Sequence, residues 1–180
     1  GLILNGELYS RTNGMAGEAG HIRLAEDGPV GYGKAGSFEG FCSGGGIAQL
    51  GQVMAEEALD REEIPSFCQS KGELFKVNAR TIAEAAEKGD PLALKIYDIV
   101  ADRLGQGLAI LVDLLNPEKI VIGSIFLRQE KLLRPRMEKI LNKESLEQSL
   151  SVVEVLPAGL GEKLGDYAAV SVGLRAYQKK

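Results

Sequence analysis

One stretch constrains the fold of this chain more than any other. Asp90-Pro91 is followed by Leu92, Ile96, Val100, Leu104, Leu108, Leu111 and Leu115, and then by Asn116-Pro117. Apolar residues three and four apart make a single stripe on a helix. Asp is a good N-cap, Pro fits the first helical turn, and a second Pro forbids continuation. A helix of this length with so apolar a stripe needs a large core on one side. Gly105 and Gly107 lie inside it. Each costs about 1 kcal/mol relative to alanine, so we expect another segment to approach closely there.

The flanking segments alternate in kind. Ser43-Gly44-Gly45-Gly46 leads into Ile47, Leu50, Val53, Met54, Ala58 and Leu59 at helical spacing, with Ser43 as N-cap. Asp60 to Gly72 carries Pro65 and reads as a loop. Asn78 caps a helix through Ala86 that ends at Gly89. Lys119-Ile120-Val121-Ile122-Gly123 is a continuous apolar run, the pattern of a strand buried on both faces. A helix is expected from about Glu130 to Asn142, a strand over Val152–Leu156 ended by Pro157, and a last helix from Asp166, as its cap, to Tyr177. Residues 1–42 are glycine-dense and read as hairpins and loops, opening on strand, Asn5-Gly6 turn, strand. Strands and helices in alternation predict an α/β fold, a sheet covered by helices. A chain that opens on Gly1 inside a sheet pattern reads as a truncation; a natural terminus processed at this point is the alternative.

Composition removes several functions. The 180 residues carry a net charge of −4 and no basic stripe, which argues against direct nucleic-acid binding by this chain. No apolar run approaches membrane-spanning length, and no signal-peptide pattern opens the chain. Cys42 and Cys68 are the only cysteines and lack metal-ligand spacing, so we expect free thiols and a cytoplasmic location. His21 is the only histidine, which excludes a two-histidine metal site.

Four segments, in order along nearly the whole chain, resemble the ROK family of repressors, open reading frames and kinases. They are Asn13-Gly14-Met15-Ala16-Gly17-Glu18-Ala19-Gly20-His21-Ile22, Lys88-Gly89-Asp90-Pro91-Leu92-Ala93, Asn116-Pro117-Glu118-Lys119-Ile120-Val121-Ile122-Gly123 and Leu164-Gly165-Asp166-Tyr167-Ala168-Ala169. The resemblance implies an actin-like, ribonuclease-H-like ATPase fold with two lobes, in which Mg-ATP and a sugar meet in a cleft. Residues 1–180 would be the C-terminal, sugar-binding lobe, a mixed sheet covered by helices. The first phosphate-binding loop and catalytic aspartate would belong to an N-terminal lobe absent from this sequence.

By the same resemblance, Glu18, His21 and Glu39 hold the sugar, with Asn13 and Gly14 bordering the pocket. A carboxylate accepts from two neighbouring hydroxyls at once, and its charge strengthens both bonds. Gly123 and Ser124 would lie near the adenosine of ATP, although the family usually has a second glycine where Ser124 stands. Most members also hold a structural zinc with the histidine and three cysteines. The matching positions here are Val30, Tyr32 and Ser37, none a thiolate, so we expect no zinc. Tyr32 and Phe38 are expected to fill the space with apolar packing, and Cys42 to be a small buried residue. Asp60 and Asp90 read as helix-end residues and Asp27 as part of a turn, so none is assigned as a base.

These expectations describe the sugar-binding part of an ATP-dependent hexose or N-acetylhexosamine kinase, with the fragment alone inactive. The sugar-sensing domain of a ROK-type repressor is the alternative. The apolar C-terminal helix, with Tyr167, Val170, Val172, Leu174 and Tyr177, predicts a homo-oligomer.

Overall fold

The structure is a computed structural model that describes residues 1–9 and 12–178. The chain opens on a hairpin of β1 (Leu2–Leu4) and β2 (Glu7–Tyr9). Asn5 and Gly6 join them with φ of 52° and 77°, both positive as a tight hairpin turn requires. A 3-10 turn at Ala19–His21 precedes the short antiparallel pair β3 (Val30–Gly31) and β4 (Lys34–Ala35). Helices α1 (Phe38–Cys42) and α2 (Gly44–Asp60) follow, then a 3-10 segment at Lys71–Lys76, α3 (Ala79–Glu87) and α4 (Pro91–Leu115). The last third holds β5 (Lys119–Ile122), α5 (Ile125–Glu144), α6 (Glu147–Leu150), β6 (Glu154–Pro157) and α7 (Leu164–Gln178).

Local chemistry sets the helix starts. The Ser43 hydroxyl accepts from Gly46 N at 3.1 Å, and Asp90 Oδ1 accepts from Ala93 N at 2.9 Å. Asn78 and Thr81 cap α3 reciprocally, each side chain accepting from the other's backbone N–H. Gly89, with φ of 86°, turns the chain from α3 into α4.

Helix α4 is the axis of the core. Its residues Ile96, Tyr97, Val100, Leu104, Leu108 and Val112 are buried against Ile47 of α2, Ile82 of α3, and Leu133 and Met137 of α5. Each large apolar side chain so buried contributes about 1.5–3 kcal/mol. Both glycines of the stripe mark close approaches. A side chain at position 105 would collide with the Met137 carbonyl and Ile140 of α5, and one at position 107 with the Phe38 ring. Arg136 of α5 fastens the same pair of helices from outside, donating to Asp98 at 2.8 Å and to both oxygens of Asp102.

Several expectations need correction. The described strands form three separate two-stranded sheets, not one mixed sheet under helices. Strand β5 is not buried on both faces: among the described strands it pairs only with β6, in parallel, its burial alternates, and Val121 is 61% exposed. Alternation in burial follows from the two-residue period of a strand with one covered face. The glycine-dense first 42 residues also contain α1 and a 3-10 turn, which their composition hides. The helix expected from about Glu130 is present: Gln129, with φ of −121°, breaks α5 into a short stretch from Ile125 and a main helix that runs on through Pro135 to Glu144. Asp166 lies in the first turn of α7 rather than before it.

Candidate functional site

The turn around Glu18 is built from two close glycine contacts and two backbone hydrogen bonds. Gly17 has φ of 84° and lies against Gly1 and Leu2. The Glu18 carbonyl accepts from His21 N at 3.1 Å, and the Ala19 carbonyl from Ile22 N at 3.0 Å, closing the 3-10 turn. Gly20 then presents a bare Cα to Glu39. Glu39 reaches this place because Ser37 caps α1. The buried Ser37 Oγ accepts from Gly40 N at 3.0 Å, which puts Glu39 in the first helical turn.

Glu39 and Gly20 border a cavity of about 330 Å³, whose walls also include Cys42, Ser43, Gly44, Gly123 and Ser124. The structure thus brings the second expected sugar carboxylate and the expected nucleotide-side turn to one cavity. Ser124 has φ of 54° and ψ of −119°, backbone that favours glycine. A glycine would hold that conformation with less strain than the serine that stands there. Its side chain makes no cap hydrogen bond to the start of α5.

Asn13 and Gly14 are not gathered at that cavity. Gly14 borders a groove beside the first hairpin, and Asn13 turns its Oδ1 back onto Met15 N at 3.2 Å. Glu18 borders a third hollow, between Gly1-Leu2 and Ile120-Val121. His21, the last residue of the 3-10 turn, is exposed. Cys42 and Ser43 are the cavity residues that sequence reasoning missed. Ser43 was visible only as a cap. Cys42 is a half-buried wall residue, and burial pushes its thiol well above the ordinary range although Arg103 opposes the shift. Both cysteines are free.

The positions that match zinc ligands do not fit the ion. Tyr32 is 87% exposed rather than packed inside, so only Phe38 of the expected pair fills the interior. Ser37 spends its hydroxyl on Gly40 N and Gly31 O, and Val30 offers only backbone, already bonded to Gln49. Among the described residues no cluster of three or more His, Cys, Asp or Glu side chains is placed to hold a metal. No described helix is long and apolar enough to cross a membrane.

These elements and their order define a class. Residues 1–172 match the ROK family, and the chain belongs to it. It is 30% identical over 175 residues to the DNA-binding transcriptional dual regulator NagC of Escherichia coli, covering 94% of this chain and 40% of NagC. It is 35% identical over 138 residues to a glucokinase of Halalkalibacterium halodurans, covering 75% of this chain and 41% of that enzyme. A ROK family glucokinase from Streptomyces griseus, solved with glucose and AMPPNP, superposes with a TM-score of 0.67 at 26% identity, over 89% of this chain and 52% of that one. The chain therefore spans about two fifths to one half of the relatives that it matches.

Proposed function

We propose that this chain is the C-terminal, sugar-binding lobe of a ROK-type carbohydrate kinase. Glu18, His21 and Glu39 hold a hexose or N-acetylhexosamine, with Asn13 and Gly14 at the margin. The observation that carries this reading is the shared cavity of Glu39 with Gly123 and Ser124. A sugar kinase must bring its sugar grip and its nucleotide turn together, whereas a sugar sensor needs only the grip. The donor set fits a nucleotide: Gly123 adds no side chain, and the uncapped start of α5 offers N–H groups to phosphate oxygens. Mg-ATP supplies the phosphoryl group and offsets its charge.

The residues of this chain bind and orient. The two carboxylates accept sugar hydroxyl protons in hydrogen bonds, which fixes the ring, and His21 contacts a further hydroxyl through a ring nitrogen. Such positioning is a large part of catalysis in phosphoryl transfer. The proton acceptor is assigned to the partner lobe, so the chain alone is expected to bind without turnover. The expected location is the cytoplasm.

A second reading has its own support. The NagC match extends over 94% of this chain, which favours a sugar-sensing domain attached to a DNA-binding segment elsewhere in a repressor. Thermal melting with glucose, with N-acetylglucosamine, and with Mg-AMPPNP separates the two, since a ligand of the folded state raises stability. A shift with both sugar and nucleotide supports the kinase. A shift with sugar alone supports the repressor.

A further inference from the structure

The loop from His21 to Ser37 lacks the thiolates that would tie it to a metal, yet it is tied. Lys34 Nζ donates to the His21 carbonyl at 2.7 Å. Arg23 Nη1 donates to the Ala35 carbonyl at 2.9 Å and to that of Glu26 at 3.3 Å. Gln49 of α2 engages both backbone groups of Val30: Oε1 accepts from its N–H at 2.9 Å, and Nε2 donates to its carbonyl at 3.0 Å. Backbone bonds from Phe38 N to the Ile22 carbonyl and from Leu24 N to the Gly36 carbonyl, both 2.8 Å, close the loop onto itself.

We propose that Lys34, Arg23 and Gln49 form a hydrogen-bonded clip that replaces the zinc, and that Lys34 is the positioning residue for His21. The contacts are complementary. Gln49 fixes the far end of the loop to the core, Arg23 spans its middle, and Lys34 reaches the backbone from which the imidazole springs. Two of the three donors are cationic, and charge-assisted bonds are the stronger kind. A clip of this chemistry needs no metal and no reduced thiols, so chelators and oxidants leave the site intact. Lys34 acts through His21 and does not itself touch the sugar. The role assigned to His21 rests on the sugar-binding reading above.

His21 is the only histidine, so its imidazole gives a single set of NMR signals. Lys34→Met keeps the apolar stem and removes the donor; Lys34→Gln serves if that variant fails to fold, and Lys34→Arg restores a cation. The expected result is a moved or broadened His21 signal in sugar-free Lys34→Met, and glucose or N-acetylglucosamine binding weakened about tenfold, as expected when one charge-assisted bond no longer holds a binding group. Lys34→Arg should recover both, and the melting temperature should change by no more than about 2 °C. One equivalent of zinc should leave the wild-type signal in place. An unchanged signal in Lys34→Met, no recovery in Lys34→Arg, or a stoichiometric zinc shift of His21 overturns the proposal. Failure of the wild-type protein to bind either sugar instead counts against the functional reading, while the sugar-free signal still tests the clip.

Discussion

Glu39 packs against Gly20 so closely that a methyl group at position 20 would stand 3.1 Å from the Glu39 Cβ. Two segments 19 positions apart thus meet with no side chain between them. The contact seats the carboxylate of α1 beside the turn that carries Glu18 and His21. Glycine at position 20 is therefore favoured by the closeness of its neighbour rather than by its own backbone angles.

Gly20→Ala should displace Glu39 by a few tenths of an ångström without unfolding the protein. Glucose or N-acetylglucosamine binding should weaken roughly tenfold, equivalent to about 1.4 kcal/mol. Isothermal titration of the variant beside the wild type checks this. Unchanged affinity would separate Gly20 from the sugar site.

Asp90 gives a pH-dependent test of the fold. Burial raises its pKa, but bonds from the backbone N–H groups of Ala93 and Ser66 outweigh that effect and hold it below the ordinary value. A carboxylate depressed in the fold stabilises above its unfolded pKa, and that stability is lost as pH falls through the folded one. Asp90→Ala should cost about 1–2 kcal/mol near pH 7. The difference from wild type should shrink below pH of about 4, as denaturant titrations at pH 7, 5 and 3 would measure. Asp90→Asn should retain most of the cap and lose the pH dependence.

Helix α7 exposes Tyr167, Val170, Val172, Leu174 and Tyr177. Apolar surface of this kind favours association, so light scattering should give a mass above that of the 19.3 kDa chain. Val172→Glu should lower that mass. A wild-type monomer at high concentration would count against self-association through this helix.

What the sequence made legible was local. Asp90-Pro91, Asn78 and Ser43 each start a helix through contacts within three residues, so their positions could be read directly. Gly105 signalled a close approach, although not that Met137 and Ile140 make it. The misreadings depend on neighbours. Val121 belongs to an apolar run, but Ile120 and Ile122 take the face of β5 that packs on the core and leave Val121 on the open one. Tyr32 looked like interior filler, but it sits at a positive φ of 49° in the β3–β4 turn and points outward. The family pattern supplied Glu18, His21, Glu39, Gly123 and Ser124. It did not supply the cavity that joins Glu39 to Gly123, because that depends on how α1 and the start of α5 come together.

The central claim is that Glu18, His21 and Glu39 grip a sugar. It is tested most directly by recording the single His21 imidazole signal during titration with glucose and with N-acetylglucosamine, for wild type, Glu18→Gln and Glu39→Gln. A charge-assisted hydrogen bond contributes about 1.5–3 kcal/mol. The account predicts a saturable shift in the wild type with at least one of the sugars, and binding weaker by about tenfold or more in each variant. A His21 signal that ignores both sugars, or variants that bind as the wild type does, would contradict it.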